Sequence, residues 1–277
     1  MILPILSAIS RSAEIILDKQ ILSHQKVNFK SYLVGGFIFI LVISGIMGII
    51  WGEIEPGFFD FAYILAFIGV IAAAIGWNAI FYRAIQHEKL TDVEPIILAA
   101  PIVVIGISAI FIPGERKWQY IVLGAIAVLS IIFAHFRKRH LKFNQYSLSL
   151  IGYTFLFGFE ALFLKIVLAN CNAFALYPIR VLVMTIALAL IFKPQLKKLT
   201  KKNWLSLLLV GLVANAYHLT LYLSYDYYGI AITSLFSILK PVIIYFASLF
   251  FFKEKFYWRN IVAAAIVVAC VIYAQFI

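Results

Sequence analysis

Nine apolar runs, each close to twenty residues long and bounded by charged or turn-forming residues, divide this chain at 31–51, 61–83, 93–113, 118–136, 147–168, 174–192, 203–225, 229–252 and 257–277. A helix of about 20 residues spans a hydrocarbon core about 30 Å thick. Backbone crossing lipid must satisfy its own N–H and C=O groups, and in runs of this length only a helix does so. Composition removes the soluble alternative. Of the 277 residues 64% are apolar and 13% charged, against about 45–50% and about 25% in soluble domains. Spans of this number leave short connections and no room for a soluble catalytic domain.

A tenth stretch, 2–22, is interrupted by Ser7, Ser10, Arg11, Ser12, Glu14 and Asp18, and hydropathy alone rejects it. An internal repeat restores it. Shifting the chain by 140 residues lays Tyr82 on Tyr222, Pro101 on Pro241 and Ile121-Val122 on Ile261-Val262; Glu115 meets Glu254 once one residue is dropped. A shift of 146 lays Glu14 on Glu160 and Lys19 on Lys165, so the weak first stretch is the counterpart of the clear sixth span. The expected fold is an all-α integral membrane protein with ten transmembrane helices arranged as two five-helix repeats, 1–138 and 145–277, joined by a short basic connection at 139–144. Five spans per half is an odd number, so the second half enters the membrane from the opposite side. Inverted repeats of this kind typify secondary transporters.

Several segments carry a resemblance. They are Ile238-Leu-Lys-Pro241, Leu249-Phe-Phe-Phe-Lys-Glu254 with the apolar last span, Leu98-Ala-Ala-Pro101, Pro113-Gly-Glu115 with Gly124, and Tyr177-Pro-Ile-Arg180. Together with the span count, they make the chain resemble the drug/metabolite transporter superfamily, specifically its ten-helix EamA-like branch, over nearly its whole length. The first-half position equivalent to Arg180 falls near Gly35, so that arginine motif occurs once. The resemblance implies that the fifth and tenth helices are peripheral supports and that the substrates are small metabolites, often exported.

Charge placement predicts orientation. The chain carries a net charge of +11. On the side that holds both termini, the connections carry only Arg116 and Lys117. The opposite side carries seventeen: Lys19, Lys26, Lys30, Arg83, Lys89, Arg137, Lys138, Arg139, Lys142, Lys193, Lys197, Lys198, Lys201, Lys202, Lys253, Lys255 and Arg259. The positive-inside rule makes this basic side cytoplasmic and places both termini outside, opposite to the usual orientation of the family resembled. The expected location is a prokaryotic cytoplasmic membrane. The basic loops meet anionic headgroups, which removes nucleic acid as a partner. Oligomeric state is not encoded in any feature read here.

Other function classes lack machinery. Cys171 and Cys270 form neither a metal spacing nor a disulfide framework. No HExxH, Walker loop or GxSxG is present, so no catalytic residue, metal or cofactor is expected. A cleaved signal peptide is not expected either, because the start has no basic region and Arg11 and Glu14 interrupt its apolar core.

Ionisable groups inside spans are expensive and mark transport paths or internal pairs. Four positive residues fall inside spans, Arg11, Lys165, Arg180 and Lys240, and the acids expected to be buried are Glu14 and Glu160. Arg11 and Glu14 share a helical face; they either neutralise each other or line a cavity with Ser7 and Ser10. Lys240 precedes Pro241, which can kink the ninth span, and it either pairs with Glu160 or Glu14 or meets substrate. Arg180 either binds substrate or reaches the interface, and Lys165 is expected at the interface. Trp77 and Asn78 have near-equivalents in Tyr217 and His218, with Asn215 one turn earlier, a set that fits a cavity wall or plain packing. Tyr222, Tyr225, Tyr227 and Tyr228 read as an interfacial aromatic belt.

The expected function is a secondary transporter, an exporter by resemblance, of a small polar metabolite such as an amino acid or organic anion. Its midplane cavity is built from the first, third and fourth spans and from the sixth, eighth and ninth. Substrate-binding candidates are Arg11, Glu14, Trp77, Asn78, Glu160, Arg180, Asn215, His218 and Lys240, with proton coupling through Glu14 or Glu160. A flippase for a lipid-linked anion, or a membrane enzyme or partner subunit, are the alternatives.

Overall fold

The computed structural model describes residues 1–24, 27–87, 97, 99–135, 145–251 and 257–277. The connection 139–144, Leu98, and the basic or acidic positions Lys26, Lys89, Arg137, Lys138, Lys253, Glu254 and Lys255 lie outside the described residues, as does the side chain of Lys19.

Eleven α-helices are described: α1 (Ile2–Lys19), α2 (Phe29–Trp51), α3 (Phe61–His87), α4 (Ala100–Phe111), α5 (Trp118–His135), α6 (Gln145–Val167), α7 (Ala173–Phe192), α8 (Lys201–Tyr228), α9 (Ile230–Phe236), α10 (Leu239–Phe251) and α11 (Trp258–Tyr273). Among the described residues the only extended pairing is one isolated bridge, Ile54 to Cys171. Seven segments are long and apolar enough to cross a membrane, among them Ile230–Ala247, which runs through both α9 and α10. Helix α1 is not one of them, and α4 is a shorter apolar helix.

The distribution of polarity is that of a protein solvated by lipid. Ile49, Leu190 and Phe133 are 88%, 70% and 72% exposed, whereas Ser7, Arg11, Ser12, Glu14 and Asp18 of α1 are buried. Low hydropathy in α1 therefore goes with a helix whose polar face packs against protein. It packs on α8 and α10, and α3 packs on α6. Helix α2 meets α7 and α8, α4 meets α6 and α9, and α5 meets α11. One apolar core runs through α1–α4 and α6–α8, and a second joins α5 and α9–α11 to the outer side of α4.

Small residues allow the closest of these approaches. At Gly48 an added Cβ would stand 2.7 Å from Pro178 Cγ and 2.9 Å from the Phe174 carbonyl oxygen. Pro178 lies inside α7 and has no N–H for that carbonyl, so glycine in α2 fits where α7 is irregular.

The run 229–252, read from sequence as one span, is two helices. Gly229 takes a φ of +83°, α9 ends at Phe236, and a turn precedes α10. The cause lies at Pro241. Lacking an N–H, it is tolerated in the first turn of a helix and not deeper, and the Lys240 N–H closes onto the Ser237 carbonyl at 3.2 Å instead. Pro101 does the same for α4, which starts at Ala100 after a turn at Ala99. Glu115 reaches across from the α4–α5 connection and accepts from Ile230 N and Ala231 N at 2.8 and 2.7 Å, a carboxylate cap on the N-terminus of α9. On the same side the α2–α3 and α6–α7 connections are tied. Glu55 N donates to Asn170 O at 2.9 Å, Asn172 N to Glu53 O at 3.1 Å, and Asn172 Nδ2 to Trp51 O at 2.8 Å.

Gly48→Val forces the α2–α7 contact apart, and a loss of about 1–3 kcal/mol is expected, whereas Gly45→Val, with nothing within 4 Å of its Cβ, changes stability by less than about 0.5 kcal/mol. Thermal unfolding in detergent compares the two; equal melting temperatures would contradict the contact.

Candidate functional site

Positions 7, 11, 14 and 18 recur on one face of α1, and all four side chains are buried. Arg11 Nη1 lies 2.8 Å from Glu14 Oε2. The guanidinium is flanked by two rings, with 5.0 Å to the centroid of Phe81 on α3 and 5.0 Å to that of Tyr217 on α8. Cation–π contact of this kind is worth about 2 kcal/mol when desolvated. The rings of Tyr82 and Tyr153 pack on Phe81, at 5.2 and 5.4 Å between centroids. Near the end of α1, Asp18 accepts a hydrogen bond from the Tyr32 hydroxyl of α2.

A second cluster joins α3, α6 and α7. Glu160 accepts from Arg180 Nη2 on one carboxylate oxygen and from Trp77 Nε1 on the other, and all three side chains are buried. Trp77 stands edge-on to Tyr153 and to Phe81, with centroids 5.9 and 6.4 Å apart, and Phe81 also faces Arg11, so the clusters are continuous. His218 stacks on Tyr177 at 5.2 Å and 13°. Its Nδ1 is 3.0 Å from the Ala214 carbonyl, so Nδ1 carries the hydrogen and Nε2 is left as an acceptor. Between Trp77, Glu160, His218, Tyr222 and Tyr225 lies a cavity of about 10 Å³, room for about one water. The Tyr177 and Tyr222 hydroxyls and Arg180 Nε are buried with no hydrogen-bond partner.

Most of the residues singled out from sequence meet here. Arg11 and Glu14 form one cluster, Trp77, Glu160, Arg180 and His218 the other. Arg180 does not reach the interface: it is 1% exposed and paired with Glu160. Lys240 sits half-buried on α10 and, among the described residues, forms an ion pair with neither Glu160 nor Glu14; its backbone carbonyl accepts from Ser12 Oγ at 3.3 Å, which fixes it beside the Arg11–Glu14 segment. Asn78 donates to the Ala74 carbonyl of its own helix, and Asn215 to Gly211 and to Ile40 of α2, so both are held by backbone. Lys165 donates to the Tyr225 and Asp226 carbonyls at 2.9 and 3.1 Å, at the end of α8.

Two expectations fail. Tyr222 and Tyr225 are each 1% exposed and line the cavity, whereas Tyr227 is 71% exposed and alone keeps the character of a belt; the interfacial reading counted residues from the helix end and ignored which face they occupy. The second miss is Asp18. It completes the i, i+3, i+7 face begun by Arg11 and Glu14, a spacing visible in the sequence, and it raises the buried acids to three. Three buried acids thus stand beside the two fully buried cations Arg11 and Arg180, with Lys240 half-buried.

Burying the Glu160–Arg180 pair costs desolvation that only complete hydrogen bonding offsets. Glu160→Gln leaves a buried guanidinium uncompensated, and a loss of about 3–5 kcal/mol is expected, while Glu160→Gln with Arg180→Met recovers most of it because Trp77 Nε1 keeps an acceptor. Melting temperatures of the single and double variants measure the coupling; additive losses would sink the pair as the stabilising unit.

Comparison with known proteins places this geometry. No curated protein matches the chain. A solved crystal structure, described only as a protein, is 12% identical, aligns with 96% of this chain and 95% of its own with a TM-score of 0.69, and so shares the fold along the whole length. The model of the EamA-like transporter family matches residues 145–274. This integral membrane protein thus carries an EamA-like transporter domain over residues 145–274.

Proposed function

We propose that the protein is a secondary transporter of a small zwitterionic or anionic metabolite, such as an amino acid or organic acid, working by alternating access between two inverted five-helix repeats, 1–138 and 145–277. The observation that carries this reading is the buried polar core, in which the Arg11–Glu14 pair of one half and the Glu160–Arg180 pair of the other stand inside an apolar shell. Such groups are retained within a membrane where a polar solute must be met.

The packing supports two related halves and ten spans. With α9 and α10 taken as one broken span, the main contacts between halves have mates under their exchange. Helix α1 on α8 matches α6 on α3; α1 on α10 matches α6 on α4; α2 on α8 matches α7 on α3; and α2–α7, α4–α9 and α5–α11 map onto themselves. Helix breaks ahead of Pro101 and Pro241 repeat the pattern. A cavity of about 10 Å³ holds no metabolite, so loading requires the halves to part. The hydrogen-bonded connections around Ile54 and Cys171 close the side that holds the termini, leaving the basic side as the mouth that opens from this state.

The buried pairs Arg11–Glu14 and Arg180–Glu160 put both signs of charge at the site and favour a solute with both charges. Lys240, without an ion pair among the described residues, is suited to a carboxylate, and the unpartnered hydroxyls of Tyr177 and Tyr222 and Arg180 Nε offer further donors to it. A metabolite occupying the site at 100 times its Kd stabilises the fold by about 2.7 kcal/mol. Pools of amino acids, organic acids, nucleotides, sugars and phosphates should include one that raises the melting temperature of wild type and fails to raise that of Arg11→Ala; an equal shift in both would remove Arg11 from the site, and silence from every soluble pool would favour the lipid-linked anion.

The seventeen positive residues of the basic side support a cytoplasmic face there, with both termini outside. Export is the direction implied by the family. A membrane-impermeant maleimide added to intact cells is expected to label Phe59→Cys and to leave Lys197→Cys unlabelled; the reverse pattern would invert the topology.

A further inference from the structure

Charge compensation separates the three buried acids. Glu14 has Arg11 at 2.8 Å, and Glu160 has Arg180 in direct contact and Trp77 besides. Each of these carboxylates is therefore held by a guanidinium. Asp18 is 0% exposed and has no ion pair among the described residues. One of its oxygens accepts from Tyr32, and the other, Oδ2, has no hydrogen-bond partner among the described residues.

The groups that face Asp18 can be named element by element. On its own helix these are Glu14, one turn away, and Arg11, two turns away, already paired with Glu14. Tyr32 faces it from α2 and Tyr82 from α3. The groups offered to α1 by α8 and α10, Tyr217 and Lys240, face Arg11 and Glu14. A carboxylate at Asp18 is thus a buried charge with no ion-pair partner among the described residues and next to another acid, which is costly; a carboxylic acid is not, and its hydrogen occupies the empty Oδ2. Asp18 also stands one residue before the end of α1, toward the basic side.

Resting on the transporter reading, we propose that Asp18 is the site that binds and releases the coupling proton, in place of Glu14 or Glu160. The proton adds to the Asp18 carboxylate oxygen when the site communicates with water on one side of the membrane; the same O–H bond breaks, and the proton leaves to water, on the other. Tyr32 holds the first oxygen throughout and keeps the second free.

Infrared spectroscopy of the protein in liposomes tests the assignment directly. Wild type, Glu14→Gln and Glu160→Gln are expected to show the C=O absorption of a buried neutral carboxylic acid, shifted by D2O, and Asp18→Asn is expected to lack it. In proteoliposomes holding a pH-sensitive dye, wild type and Asp18→Glu should move protons when a radiolabelled amino-acid and organic-acid mixture is added. Asp18→Asn should lose that movement and keep exchange of the labelled mixture across the membrane. Persistence of the band in Asp18→Asn, or proton movement by that variant at the wild-type rate, would overturn the proposal. Loss of exchange together with proton movement would also overturn it, because Asp18 would then act in binding. Exchange without proton movement in wild type would refute coupling while leaving the transporter reading intact; no exchange in wild type for any pool would defeat that reading itself, whatever the infrared band shows.

Discussion

A charged side chain in a membrane interior must find its countercharge within the protein, and the rest of this structure is arranged around that requirement. Arg180 on α7 and Glu160 on α6 lie twenty residues apart in sequence and are in contact. Their pairing draws in Trp77 of α3 through its indole N–H, and Trp77 carries the contact onward to Phe81 and so to Arg11. Helices α1, α3, α6 and α7 are thereby linked. Without the ion pair, α6 and α7 would each present an isolated charge to an apolar core, at several kcal/mol apiece.

The aromatic residues make this polar core compatible with its surroundings. Phe81 and Tyr217 cover the two faces of the Arg11 guanidinium, and tyrosines turn rings to the apolar shell and hydroxyls to the charges. Such a core is strong when filled and poorly satisfied in detail: Arg180 Nε and the Tyr177 and Tyr222 hydroxyls go unmet. Unmet donors around a water-sized cavity suit a site that is closed at rest and completed by a polar solute, and they sit beside helices whose proline-marked breaks already loosen the ladder near the middle of the bundle.

On the side of the termini, backbone pairing at Ile54 and Cys171 and the Glu115 cap on the N-terminus of α9 tie residues of the first half of the chain to residues of the second.

Hydropathy, repeat and charge count are local properties, and the sequence by itself determined what depends on them: helices spanning a membrane, a first helix whose polar face turns inward, and most of the residues that meet at the core. Asp18 was within reach of the same helical spacing, since it shares the face of Arg11 and Glu14. Only the tertiary structure decided which charges pair. Glu160 was open to Lys240 or Arg180 until α6 and α7 were set side by side, and Lys240 was left without an ion pair among the described residues because α10 approaches α1 where Arg11 already holds Glu14. Tyr222 likewise belongs to the cavity and not to the interface because the rotation of α8 about its axis is fixed by its neighbours. Pairing and rotation depend on distances across helices, and no one-dimensional pattern encodes those.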